Sequence, residues 1–175
     1  MGIEPCEEEV QKISPWRFSA PISPDMAAKL EKQSIDFEAL VRFCQNNPGR
    51  HANSNRQVVL IEGVGGAMVP LNERHTVMDW MIALDVPILV VAGSYLGTIS
   101  HTLSTVAAMT QNNLKPSAVV ISESEHSPVP LQLTVDTISR FLPEIRVIAV
   151  QRVSVSKFSW ERTTDLRDLI KIIRP

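Results

Sequence analysis

The sequence predicts an α/β fold, a mostly parallel sheet with helices on both faces. Three observations carry this. Four short apolar runs, Val58 to Ile61, Ile88 to Ala92, Ala118 to Ile121 and Val147 to Val150, lack polar alternation. Strands that read this way are covered on both faces. Helical patterns lie between the runs, the arrangement that parallel strands need for their crossovers. The first three runs also open into polar or glycine-bearing turns at their carboxyl ends, where sheets of this class present functional groups.

The elements follow in order. Glu7-Glu8-Glu9 reads as a solvated helix start. In residues 15–24, PWRFSAPISP, the prolines bar a regular helix, while Trp16, Phe18 and Ile22 call for burial, so an ordered loop is expected. Ser23-Pro24 is an N-cap with proline at the first helical position, opening a helix to about Lys32. Asp36 to Cys44 is the next helix, with Phe37, Leu40, Val41 and Cys44 on one face. A polar loop, 46–55, leads to the expected strand Val58–Glu62. Asp79 to Leu84 is helical, Ile88 to Ala92 a strand, Gly93 to Gly97 a turn, and Thr98 to Asn112 a long helix. The apolar positions of that helix are Ile99, Leu103, Val106 and Met109. Strand Ala118–Ile121, helix Leu131–Phe141, strand Val147–Val150 and a last helix, Thr163–Ile173, complete the reading.

The 175 residues suit one domain with a real core. With 44% apolar residues, 21% charged and a net charge of −2, the chain has no basic cluster for nucleic acid. Cys6 and Cys44 are far apart, which fits free thiols in a reducing compartment. No signal-peptide pattern opens the chain, and its longest apolar stretch is too short to span a bilayer. A cytoplasmic protein that engages neither membrane nor nucleic acid is expected.

Chemistry is sought at the strand tips. Val58 to Leu71 reads VVLIEGVGGAMVPL: a buried-strand pattern delivering Glu62 to a turn in which Gly63, Gly65 and Gly66 leave the backbone open. Such a tip can hold a phosphate and its metal; a tight turn with a solvated glutamate is the alternative. It is not the dinucleotide fingerprint, because the position for the third glycine is Met68. Gly93-Ser94-Tyr95-Leu96-Gly97-Thr98 leads into a helix whose first N–H groups could take a carboxylate or phosphate, or simply form a capped start. Ser122 to Pro128 is a polar loop that could bind or merely connect. His51, His75, His101 and His126 are not spaced for zinc. None of the seven glycines precedes a lysine, so residues 1–175 hold no G-x-x-x-x-G-K-[ST].

Taken together, PWRFSAPISPD at 15–25, VVLIEGVGGAMVPL at 58–71, DW at 79–80, VPILVVAGSYLGTISHTL at 86–103 and AVVISES at 118–124 resemble the dethiobiotin synthetases. The resemblance covers roughly Ser14 to Val150. It implies a P-loop NTPase-like fold and an ATP- and Mg²⁺-dependent cyclo-ligase of biotin biosynthesis, working as a homodimer. Such an enzyme carboxylates 7,8-diaminononanoate with CO2, phosphorylates the carbamate with ATP and closes the ureido ring. By the resemblance Glu62 is the Mg²⁺-ATP ligand, and Gly63, Val64 and Gly65 line the nucleotide. Ser122, Gln151 and Arg152 lie at further nucleotide contacts. Pro24, Gly97, Thr98 and Ser100 match substrate positions, with Gly97 to Ser100 taking the substrate carboxylate from the partner subunit. Ser100 and Ser122 stand where the family often has Asn, and Gln151-Arg152 where it usually has Pro. The resemblance further implies that the first βα unit, with the P-loop and its lysine, is absent from this chain, leaving a single, N-terminally truncated domain with no catalytic residue identified. A non-catalytic interaction module retaining the substrate and dimer surface is the competing expectation. An ATPase of the partitioning type is a third, which the PWRFSAPISP loop disfavours.

Overall fold

The computed structural model describes residues 6–46 and 59–152. His51, Val58, most of the 46–55 loop and the expected helix 163–173 lie outside the described residues. The chain divides after Leu84 into two compact units.

In the first unit, α1 (Glu7–Ile13) begins with three glutamates and buries nothing, so its acidic first turn answers the helix dipole from solvent. Lys12 donates to Glu9 at 2.5 Å and Arg17 pairs with Glu7. The loop that follows is ordered by few contacts. Trp16 meets Phe43 edge-on at 5.7 Å, and Ser19 N donates to Glu31 Oε1 at 2.7 Å. Trp16 and Phe18 are half-buried, whereas Ile22 is exposed, against expectation.

Helix α2 (Pro24–Leu30) starts at its proline as read, and Ser23 pairs with Asp25 rather than capping. It stops short of Lys32, which adopts φ 57°, a left-handed terminator. Helix α3 (Phe37–Gln45) is capped by Asp36, whose carboxylate accepts from Ala39 N at 3.0 Å. Leu40, Val41 and Cys44 are buried. Phe37, the fourth residue of that face, is only half-buried and stacks on His75 with ring centroids 4.0 Å apart.

Helix α4 (Val77–Leu84) begins two residues earlier than expected. Asp79 accepts from both the N–H and the hydroxyl of Thr76 at 2.7 Å, and Asp79 N donates back to Thr76 Oγ1 at 3.4 Å. This is a reciprocal cap of the capping-box type. The hydrogen bonds from Thr76 hold the Asp79 carboxyl below its ordinary 3.8, with a smaller contribution from His75.

The expected strand Val58–Glu62 does not form over its described residues. Residues 59–62 take no regular structure, and Leu60 is 79% exposed. A strand exists only through hydrogen bonds to a neighbour, and among the described residues no segment pairs with this one.

The second unit is a three-stranded parallel sheet in the order β1 (Leu89–Gly93), β2 (Ala118–Ser122), β3 (Arg146–Val150). The crossovers are α5 (Thr98–Gln111) and α6 (Leu131–Phe141). Val119 and Ile121 of β2 pack with Val106 of α5 and Val135 and Ile138 of α6, flanked by Val90, Ala92, Val147 and Ala149. Thr98, Thr102, Val106 and Met109 form the buried stripe of α5, with Ile99 and Leu103 at its margin. The register sets Gly93 opposite Ser122, and Ser122 opposite Val150. All three strands therefore end at one edge, and the described residues directly after them, 94–97, 123–127 and 151–152, begin there.

Candidate functional site

At that edge the turns after β1 and β2 are clasped by their serines. Ser94 N donates to Ser124 Oγ at 3.0 Å, and Ser124 N donates to Ser94 Oγ at 2.9 Å. Ser127 Oγ donates to the Ser94 carbonyl at 3.0 Å, and Thr98 Oγ1 to the Gly93 carbonyl at 2.6 Å. Ser94 is only 1% exposed, so these bonds are shielded from water and fix both turns. The clasp also explains Gly93. A Cβ there would lie 2.7 Å from Ser124 Oγ and 2.9 Å from the Tyr95 ring.

Gly97 takes φ 99° and caps α5 without any side-chain hydrogen bond. Its backbone conformation, rather than space, requires glycine, since the nearest atom to an added Cβ is His101 Cε1 at 3.5 Å. Thr98 is buried by its bond to Gly93, while Ser100 is exposed one turn into the helix. Tyr95 and His101 stand beside the turn with Tyr95 Oη 3.1 Å from His101 Nδ1.

The third tip joins the second. Glu123 N donates to the Val150 carbonyl at 2.8 Å, and Arg152 N donates to Glu123 Oε2 at 3.0 Å. The Arg152 guanidinium pairs with Glu125 at 3.1 Å. Gln151, between these fixed residues, is exposed. The structure thus brings Ser122, Gln151 and Arg152 to the edge that also carries Gly97, Thr98 and Ser100.

Glu62, Gly63, Val64 and Gly65 lie in the first unit, as does Pro24, which is buried at the start of α2. Glu62 and Val64 are exposed. The glycines divide by cause. A Cβ on Gly63 would meet Val77 Cγ1 at 3.0 Å. On Gly65, at φ 74°, it would meet Val69 Cγ2 at 2.8 Å, and on Gly66 it would meet nothing within 4 Å. Gly65 is therefore set by its backbone conformation and by Val69, a side chain on Gly63 would press against Val77, and Gly66 is the open one. The loop behind them is tied to α4, since Val77 N donates to the Val69 carbonyl at 3.0 Å and Met78 N to the Ala67 carbonyl at 2.7 Å.

Among the described residues no group of three or more His, Cys, Asp or Glu could hold a metal ion, and no helix is long and apolar enough to cross a membrane. A lone exposed carboxylate such as Glu62 does fit Mg²⁺, which takes one or two carboxylates and completes its shell with phosphate oxygens and water. The serine clasp and Glu123 went unread in the sequence. Their signal was a serine or glutamate two or three residues after the apolar runs 88–92 and 118–121, visible as composition but not as pairing.

A family model described as an AAA domain matches residues 5–155. The ATP-dependent dethiobiotin synthetase BioD of Acidiphilium cryptum (strain JF-5) is 49% identical over 136 residues, which are 78% of this chain and 59% of that protein. The BioD of Methylobacterium nodulans is 40% identical over 145 residues, 83% of this chain and 63% of the relative. That of Caulobacter sp. (strain K31) is 41% identical over 133 residues, 76% and 56% of the two chains. The chain spans about six-tenths of the length of these curated relatives. It belongs to the AAA domain family, and within that family it is similar to the ATP-dependent dethiobiotin synthetases.

Proposed function

We propose that this chain carries the substrate and nucleotide-base turns of an ATP- and Mg²⁺-dependent cyclo-ligase that forms dethiobiotin from 7,8-diaminononanoate and CO2. The observation that carries the reading is the 49% identity to a dethiobiotin synthetase over 136 residues, 78% of this chain. The reading assigns Gly97, Thr98 and Ser100 to the substrate carboxylate, whose charge suits the N-terminus of α5, where no side chain caps the helix and Thr98 N donates to the Tyr95 carbonyl at 3.2 Å. Ser122, Gln151 and Arg152 border the nucleotide base. Glu62 supplies a carboxylate to Mg²⁺, with Gly63, Val64 and Gly65 beside the nucleotide and Pro24 at the substrate. A homodimer in the cytoplasm, with residues 1–175 folding as one domain, completes the proposal.

One sequence fact favours a second reading. Residues 1–175 contain no glycine followed by lysine, so the backbone nest and lysine that cradle a triphosphate are not among them. By itself the chain would then be a binding module for the diamine acid, not a ligase. Isothermal titration of residues 1–175 with 7,8-diaminononanoate separates these readings from a fold-only likeness. Saturable binding that is weakened by Gly97→Val supports the substrate site. No binding at millimolar ligand refutes it.

A further inference from the structure

The end of β3 is stitched to the residues after β2 in a way the family resemblance does not account for. Val150 is held through its carbonyl by Glu123 N at 2.8 Å, and Arg152 through its N–H by Glu123 Oε2 at 3.0 Å. One residue therefore grips the chain on both sides of Gln151. Fixing both flanking peptides fixes the direction in which the Gln151 side chain leaves the backbone, and that side chain is exposed at the edge where Ser122 ends β2. The Arg152–Glu125 pair adds little, since both partners are solvated.

A primary amide offers one acceptor and a donor pair on a single plane. Against purines that pattern matches the 6-amino group and N7 of adenine, and it mismatches the same edge of a 6-oxo purine, where O6 and N7 are both acceptors. Resting on the nucleotide reading of these turns, we infer that Glu123 is a positioning residue that holds the Gln151 amide for recognition of the 6-amino edge of an adenine nucleotide.

The test titrates isotope-labelled residues 1–175 with AMP and with IMP, which differ at the 6-position, and follows amide shifts by NMR. The native chain should prefer AMP about tenfold, as expected for a paired amide–adenine contact. Glu123→Ala should bring that preference close to one, and Glu123→Gln, whose side-chain oxygen can still accept from Arg152 N, should keep it. Gln151→Glu, at an exposed position that folding tolerates, should lose it and decides the matter if Glu123→Ala does not fold. An undiminished preference in folded Glu123→Ala overturns the positioning role while leaving the nucleotide reading intact. Equal affinity of the native chain for AMP and IMP overturns the readout by Gln151. No binding of either at millimolar concentration overturns the nucleotide reading of these turns, and this inference with it.

Discussion

Gly65 and Gly66 are adjacent in sequence, and the structure predicts opposite consequences for the same substitution. At Gly65 an alanine must hold φ 74°, which costs an L-residue about 1–2 kcal/mol. Its Cβ would also sit 2.8 Å from Val69 Cγ2. Val69 cannot easily give way, because its side chain is branched and its backbone is bonded to Gly66 and Val77. Together these give a destabilisation of roughly 2–3 kcal/mol, within the range of strained backbone positions. For a chain of this length that lowers Tm by about 4–10 °C. Gly66→Ala meets nothing within 4 Å and should stay within about 0.5 kcal/mol of the native chain. Urea and thermal unfolding of the two variants, followed by circular dichroism, measure the difference. Adding Val69→Ala to Gly65→Ala should recover only the steric share, with a coupling of about 1 kcal/mol in the double-mutant cycle. Equal stabilities for Gly65→Ala and Gly66→Ala would refute the packing argument. A loss of nucleotide affinity at unchanged stability in Gly65→Ala would support the nucleotide-contact role and refute the packing one.

Ser94→Ala removes the buried acceptor of Ser124 N and should cost about 1–3 kcal/mol, read by denaturant midpoint; an unchanged midpoint would show the clasp to be dispensable. The Asp79 carboxyl titrates below its ordinary value in the folded protein, so its contribution is full above about pH 3.8 and fades as pH falls further through the lowered folded value. Asp79→Asn should flatten that acid limb of the stability curve, and an unaltered acid limb would count against the cap. Glu62→Gln, made in residues 1–175 joined to a phosphate-cradling segment, should lower turnover on the order of a hundredfold at saturating Mg²⁺, and near-normal turnover would remove Glu62 from the metal.

The sheet was legible where apolar runs had partners. Runs at 88–92, 118–121 and 147–150 became β1, β2 and β3 within a residue of their expected bounds. The equally apolar run before Glu62 did not become a strand, because composition records a preference for a sheet but cannot supply a neighbour. Helix starts were readable when the cap was local and looked for. The starts at Pro24 and after Asp36 were, though Ser23 itself pairs with Asp25 rather than capping, whereas Thr76, three residues before the expected start of α4, carried a cap signal unread. Glycine was the hardest to interpret. The sequence marks Gly63, Gly65 and Gly66 alike, but only coordinates show that a side chain on Gly63 would press against Val77 and that backbone conformation and Val69 set Gly65. Gathering Ser122, Gln151 and Arg152 at one edge followed from the parallel register, whereas Glu123 bridging 27 to 29 residues onward to Val150 and Arg152 depended on a loop that no periodicity describes.

The claim that residues 1–175 hold the substrate and base turns of a dethiobiotin cyclo-ligase, but not its phosphate-cradling groups, is tested most directly by product formation. Residues 1–175 alone, and the same residues joined to a segment bearing G-x-x-x-x-G-K-[ST], are incubated with 7,8-diaminononanoate, bicarbonate, ATP and Mg²⁺, and dethiobiotin is measured by mass spectrometry. The account predicts dethiobiotin from the joined chain and none above background from 1–175 alone, since loss of several charge-stabilising donors at once costs about a hundred- to a thousandfold each. Product from 1–175 alone would mean that unrecognised residues cradle the triphosphate, and absence of product from a folded joined chain would contradict the functional assignment itself.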